Sequence, residues 1–200
     1  MPKVTNIALV GVGGQGIILA GKLLAQAALQ AGHAVKLSEI HGMAQRGGSV
    51  VTQVRFGSTV FAPTFGPGEA DYVVAFERLE ALRHLPALAP DGTLLLNDTL
   101  IQPITTATGK AAYPRDVLEQ LQAKAPGFAC FNAEYTAEKL GNSKVANVIM
   151  LGALSIYLED IPDQAWAEAL TQVIPERYLA LNKEAFAVGR GLETKIPPKL

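Results

Sequence analysis

The sequence predicts a three-layer α/β fold: a mostly parallel sheet with helices on both faces, an antiparallel hairpin, and a helical C-terminal part. Three observations predict it. Short apolar runs alternate with stretches of helical length up to Phe131. A glycine turn, Gly11-Val12-Gly13-Gly14-Gln15-Gly16, stands directly between the first such run and the first such stretch. Beyond Lys144 the chain is apolar at helical spacing and interrupted only where prolines start new helices.

Asn6–Val10 reads as a buried strand and Ile17–Ala31 as a helix. The helix has Lys22, Gln26 and Gln30 spaced by four, a narrow polar stripe on a cylinder otherwise covered, and Gly32 closes it. Ala34–Ile40 is a second strand. His41–Ser49, with three glycines and no apolar period, is a loop. Val50–Phe56 alternates like a half-exposed strand, and Gly57-Ser58 is a two-residue turn that predicts a hairpin into Thr59–Ala62. Pro63–Gly68 is irregular. Asp71–Phe76 is a strand, Glu77–Leu88 a helix, Pro90-Asp91-Gly92 a turn and Thr93–Asn97 a strand. Val117–Lys124 is a helix, Gly127–Phe131 a short strand, and Lys144–Leu158, Pro162–Val173 and Glu176–Val188 are helices. Residues 1–192 form one domain, and 193–200, with two prolines, an extended tail.

Composition bounds the function. With 17 basic against 18 acidic residues the chain carries no electrostatic footprint for nucleic acid or an anionic membrane. Its apolar runs are too short to span a bilayer, which needs about 20 residues. The run Ile7–Val10 dissolves into glycines and no A-x-A site follows, so it reads as a strand rather than a leader. The single cysteine, Cys130, forms no internal disulfide and points to a reducing, cytoplasmic setting. It reads as a small buried hydrophobe, and one thiol does not hold an iron–sulfur cluster, which takes about four. His33, His41 and His84 lack metal-ligand spacing. Only 18% of residues are charged, which leaves apolar surface for a partner.

Twelve of the 19 glycines fall within residues 1–68, so a site belongs in the N-terminal third. The turn Gly11–Gly16 matches G-x-G-x-x-G between strand and helix, as in Rossmann-like folds. It either binds phosphate or carboxylate or only lets strand and helix pack. Gln15 adds an amide for a ligand or a neighbouring loop, and Glu39 stands where an acid could hold a nicotinamide dinucleotide's ribose. The second candidate is the loop with Gln45, Arg46, Gly47, Gly48 and Ser49, after a strand. A guanidinium and exposed backbone N–H groups there suit a carboxylate or phosphate; equally, Arg46 could make a structural or intersubunit ion pair. His41 reads as a structural residue, Asp71, Asp91 and Asp98 as strand-end or turn residues, and Asn147 and Ser155 as polar groups that satisfy buried backbone or a partner. No G-x-S-x-G, Walker lysine or H-E-x-x-H is present, and no nucleophile-and-base set is visible.

Together the two loops resemble those of a known family. GVGGQG, then SEIHGMAQRGGSV leading into an alternating strand, is similar to the gamma domain of 2-oxoacid:ferredoxin oxidoreductases. The form EIHGMAQRGGSV is similar to the small (beta) subunits of the indolepyruvate enzymes, and ADYVVAFERLEALR, APDGTLLLN, NVIMLGAL and LNKEAFAVG extend the likeness over about residues 5 to 190. The resemblance implies a non-redox subunit of an enzyme complex. That complex decarboxylates a 2-oxoacid, here indolepyruvate or another aryl pyruvate, passes the acyl group to coenzyme A and sends electrons to ferredoxin. It implies thiamine diphosphate, Mg²⁺ and [4Fe–4S] clusters on a larger partner subunit. This chain has neither four cysteines nor a GDG with a downstream asparagine pair. The resemblance assigns no catalytic residue or metal ligand to this chain. It marks Gly11, Gly13, Gly14, Gln15 and Gly16, with Gln45, Arg46, Gly47, Gly48 and Ser49, as motif positions beside the partner's active-site entrance, and it removes Glu39 from ribose binding. The alternatives are an independent NAD(P)- or anion-binding Rossmann-like protein and a non-enzymatic scaffolding module. The apolar helices Ile17–Ala31 and Lys144–Leu158 predict that the isolated chain self-associates.

Overall fold

A computed structural model describes residues 3–41, 47–102, 112–125 and 128–192. The tail 193–200 and the positions of Gln45 and Arg46 lie outside the described residues. Six strands form one sheet: β1 (Val4–Val12), β2 (Ala34–His41), β3 (Ser49–Gly57), β4 (Ala70–Ala75), β5 (Leu88–Asn97) and β6 (Ala129–Phe131). Their order is β2-β3-β1-β4-β5-β6. β1, β4, β5 and β6 run parallel, while β3 is antiparallel to both β1 and β2.

β1 is buried on both faces, which is why it reads as a continuous apolar run. Ile7 and Leu9 point into one core with α1 (Ile17–Gln30), α5 (Ala146–Ser155), α6 (Asp163–Val173) and α7 (Glu176–Arg190). Ala8 and Val10 point into a second core with Ala81 of α2 (Arg78–His84) and Val117 and Leu121 of α3 (Val117–Lys124). The layers are helix, sheet, helix, and the predicted α/β class with an antiparallel hairpin and a helical C-terminal part holds. Among the described residues no helix is long and apolar enough to cross a membrane.

The hairpin is formed by different strands from those the turn chemistry predicts. β3 pairs with β2 on one edge and β1 on the other, residue for residue from Gly57 back to Val50. With both edges taken, Thr59–Ala62 has no edge to fold back on, and it joins no strand. The Pro90-Asp91-Gly92 turn is likewise absorbed into β5. Ala70 pairs with Leu88 and Tyr72 already with Thr93, so the extra residues bulge out of the strand.

Helix α1 ends as its glycine requires. Gly32 has φ 85°, its N–H donates to Leu29 O (2.9 Å), and His33 N–H donates to Ala28 O (3.1 Å). α2 is shorter than the predicted Glu77–Leu88: Glu77 caps it and Leu85–Ala87, with Pro86, continue as a 3₁₀ turn. A further helix, α4 (Ala133–Lys139), starts where the Asn132 side chain accepts from Tyr135 N–H at 2.7 Å.

All ten residues of α5 are buried, and the reason is its crossing with α7. A Cβ on Gly152 would stand 2.2 Å from Phe186 O, and one on Gly189 2.1 Å from Ile149 O. The two backbones touch at that crossing, so α5 spends its apolar surface inside the chain's own core. Asn147 and Ser155 satisfy backbone there, donating to Gly16 O (3.1 Å) and Gly152 O (2.7 Å).

Two buried side-chain groups are left unserved among the described residues, the Trp166 indole N–H and the Thr52 hydroxyl. The Thr52 hydroxyl, in the middle of β3 beneath Gly21 of α1, has no hydrogen-bond partner among the described residues. Thr52→Val removes that desolvated oxygen at nearly equal volume. It is expected to raise the unfolding free energy by about 1 kcal/mol in urea titration. Unchanged or lower stability would show that the hydroxyl is hydrogen-bonded in solution.

Candidate functional site: two glycine loops joined at the carboxyl edge of the sheet

The parallel strands β1, β4, β5 and β6 all end at one edge, where open α/β sheets hold their ligands. From β1 the chain crosses through α1 towards β2; from β4 it crosses through α2 the other way, to β5. The switch point therefore lies between β1 and β4, beside the glycine turn.

The glycines of that turn differ in what they do. Gly11 is still in β1, and a Cβ there would lie 2.8 Å from Gln15 Oε1, Ile17 Cδ1 and Phe76 Cβ. Gly16 caps α1 with φ 77°, and its Cβ would lie 2.5 Å from Asn147 Nδ2. Both are glycine because the packing leaves no room. Gly14, with φ 110°, is exposed and open on every side. Gly13 joins the turn to the second loop: its N–H donates to Gly48 O (2.8 Å) and its carbonyl accepts from Gly47 N–H (3.3 Å). These bonds continue the β1–β3 ladder, whose last pair is Val12 with Ser49. The family resemblance set the two loops beside one entrance; the structure bonds their backbones together.

Gln15 closes the switch point. Its Oε1 accepts from Val12 N–H (2.8 Å), and its Nε2 donates to Phe76 O (2.6 Å) and reaches Glu134 Oε1 (3.5 Å). Asn97 Nδ2 donates to Phe76 O (3.1 Å) and to Glu134 Oε2, and Asn97 Oδ1 accepts from Ala133 N–H (2.8 Å). The Gln15 amide is thus engaged with the neighbouring strand end, and a carboxylate from α4 already stands in the crevice. Glu39 is remote from this point. It is registered against Thr52, and Thr52 against Leu9, so β3 lies between Glu39 and β1. In dinucleotide folds the second strand adjoins the first; here β3 intervenes and β2 lies two strand spacings from β1, about 10 Å.

Of the second loop, Gly47, with φ 75°, Gly48 and Ser49 are described. Ser49 Oγ donates to Glu80 Oε2 at 2.5 Å and lies 3.3 Å from His84 Nε2. The Glu80 side chain is only 1% exposed, and its other oxygen accepts from Arg83 Nη1 at 2.5 Å. Burial alone would push its carboxyl up; the contacts with His84 and Ser49 and the Arg83 charge outweigh burial and hold it below the usual carboxylate range. Glu80 N–H donates to Glu77 Oε2 (3.0 Å), and Glu77 Oε1 accepts from Tyr113 Oη (2.6 Å) and Ile101 N–H (3.3 Å). Burial, then the adjacent Glu77, push the Tyr113 hydroxyl up. Helix α2 therefore fastens two rim segments through two buried acids, which sequence reasoning missed. The available signal was the capping spacing Glu77-x-x-Glu80.

The remaining candidates are structural. Asp71 Oδ2 accepts from Asn6 N–H (2.7 Å), Asp98 pairs with Arg78 Nε (2.5 Å), and Asp91 lies exposed in the β5 bulge. Burial, with help from Asp98, pushes the Cys130 thiol up to about 12 against the opposing charge of Arg78. Among the described residues no three His, Cys, Asp or Glu side chains are grouped to hold a metal ion. With one cysteine in the whole sequence, the donor set does not fit an iron–sulfur cluster.

Comparisons with known proteins agree with this geometry. The indolepyruvate oxidoreductase subunit IorB of Thermococcus kodakarensis is 38% identical over 192 residues, covering 94% of this chain and 95% of that protein. The crystal structure of the pyruvate oxidoreductase subunit PORC from Thermotoga maritima superposes with a TM-score of 0.70 at 25% identity, covering 94% of this chain and 96% of that one. A 2-oxoglutarate:ferredoxin oxidoreductase from Magnetococcus marinus has the same fold, with a TM-score of 0.68 at 23% identity; it covers 98% of this chain but only 32% of its own. Residues 6–192 match the family described as pyruvate ferredoxin/flavodoxin oxidoreductase, and with a match over nearly the whole chain the protein belongs to that family.

Proposed function

We propose that this chain is the non-redox subunit of a 2-oxoacid:ferredoxin oxidoreductase that acts on indolepyruvate or related aryl pyruvates in the cytoplasm. The observation that carries the reading is 38% identity along nearly the whole length of an indolepyruvate oxidoreductase subunit. The single cysteine of the sequence supports the division of labour: thiamine diphosphate, Mg²⁺ and the [4Fe–4S] clusters belong to a larger partner subunit, which passes electrons to ferredoxin. In the Magnetococcus protein the same fold is about a third of a longer chain, which supports an obligatory association with more protein.

Within the complex this chain supplies a rim. The Gly13–Gly48 junction brings Gly11–Gly16 and Gly47–Ser49 together at the carboxyl edge, and Gln45 and Arg46 directly precede that junction in sequence. The Glu134 carboxylate in the crevice disfavours an anion at the switch point itself, so recognition of the oxoacid carboxylate or a coenzyme A phosphate falls to Arg46.

The test is reconstitution with the larger subunit. Oxoacid- and coenzyme A-dependent reduction of ferredoxin is expected only when both chains are present, and activity of either alone would overturn the reading. Arg46→Ala is expected to raise the KM for oxoacid or coenzyme A by about tenfold, the effect of about 1.4 kcal/mol of charge-assisted binding. Unchanged KM values with intact assembly would remove Arg46 from recognition.

A further inference from the structure

We propose that the loop Ser58–Gly68, anchored by Phe61, is the surface that docks this chain onto an apolar, uncharged pocket of the larger oxidoreductase subunit. The proposal rests on the functional reading above, which supplies that subunit.

The loop contains no charged residue, in a chain whose 17 basic and 18 acidic residues would place about two in any stretch of that length. Phe61 is 89% exposed, the most exposed large apolar side chain among the described residues; Leu29, at 51%, is far less so. Ser58, Thr59, Ala62, Pro63 and Thr64 around it are exposed as well.

The loop is held firmly although it buries little. Arg55 Nη1 donates to Ala62 O (3.1 Å) and Thr64 O (2.8 Å), while its Nε donates to Asn6 Oδ1 (2.8 Å). Gln53 Oε1 accepts from Phe65 N–H (3.2 Å), Glu69 Oε2 from Gly66 N–H (2.9 Å), and Pro86 O from Gly68 N–H (2.9 Å). Val60 is tucked in beside Phe61, at 7% exposure. An aromatic ring on a pre-ordered backbone loses little entropy on docking, which is how interface anchors behave.

The absence of charge selects the occupant. A nucleic acid, an anionic membrane or an acidic electron carrier would call for basic residues here. The same fold occurs within a chain about three times its length, where it meets the rest of an assembly by contact. The loop follows Gly57, which pairs with Val4 at the start of β1, so it lies at the end of the sheet opposite the Gly13–Gly48 junction, and the larger subunit has to reach around the domain to meet both.

The experiment compares wild type, Phe61→Ser and Leu29→Ser for affinity to the larger subunit, with the urea midpoint of each chain measured alone. Phe61→Ser is expected to weaken association at least tenfold without shifting the midpoint, and Leu29→Ser to leave it unchanged. Wild-type affinity in Phe61→Ser overturns the proposal. So does loss of a dimer of this chain with subunit affinity intact, because the occupant is then a second copy. If wild type itself does not bind the larger subunit, the functional reading falls together with the proposal; normal wild-type binding with an inert Phe61 removes the proposal alone.

Discussion

Gly189→Ala is expected to lower the unfolding free energy by about 3 kcal/mol, the upper end of ordinary overpacking. The added carbon would lie 2.1 Å from Ile149 O, 2.9 Å from Ile149 C and 3.1 Å from Ala153 N, all backbone of α5. No rotamer relieves such a clash; α5 and α7 have to separate, and the separation opens gaps around residues that are now fully buried. Alanine is the better helix former by about 1 kcal/mol, so propensity alone predicts the opposite sign. Gly191→Ala is the control. Its Cβ would meet only Ala187 O and Val188 O at 3.7 Å, and stability within about 0.5 kcal/mol of wild type is expected. Urea titration of the isolated chain decides, and a Gly189→Ala protein as stable as wild type would mean that the helices do not touch at this crossing.

Glu80→Gln is expected to cost about 2 kcal/mol at neutral pH, as for loss of hydrogen bonds to a buried charge. Ser49 and Arg83 are themselves partly solvated, so water repairs part of the loss and holds the cost to that level. The pH dependence carries the sign. The Glu80 carboxyl is held below its ordinary value in the folded chain, so folding favours the ionised form. Its contribution is complete above the unfolded glutamate pKa of about 4.3 and is lost as pH falls through the folded value. The stability gap between wild type and Glu80→Gln should therefore be widest near pH 7 and close progressively below about pH 4.3. A gap that stays constant down to pH 3 would show that charge is not what Glu80 contributes. The same substitution should speed hydrogen exchange at Gly13 N–H, because Ser49 then holds Gly48 less firmly.

The sequence carried the fold where the determinants were local. β1 declared itself by burial on both faces, α1 by its narrow polar stripe and Gly32, and the turn between them by glycine spacing. It failed where the decision was made by distant chain. Gly57-Ser58 is good turn chemistry, yet β1 and β2 occupy both edges of β3 and nothing remains for a turn to pair. Pro90-Asp91-Gly92 is a turn signal that a paired strand absorbs as a bulge. The site divides in the same way. Both glycine loops were legible, whereas the partners of Gln15 were not, since Phe76 and Glu134 are 61 and 119 residues away. Glu77 and Glu80 drew no reading beyond membership of a predicted helix, and only the fold shows them buried and holding Tyr113 and Ser49.

The burial of Cys130 decides its chemistry. A thiol pushed up to about 12 stays protonated at neutral pH, where a free cysteine is ionised to a few per cent. Sulfur attacks electrophiles, binds soft metals and is oxidised chiefly as its anion. The sulfur of Cys130 is therefore held in its unreactive thiol form, and the residue serves the fold as packing rather than as a nucleophile or a soft-metal ligand.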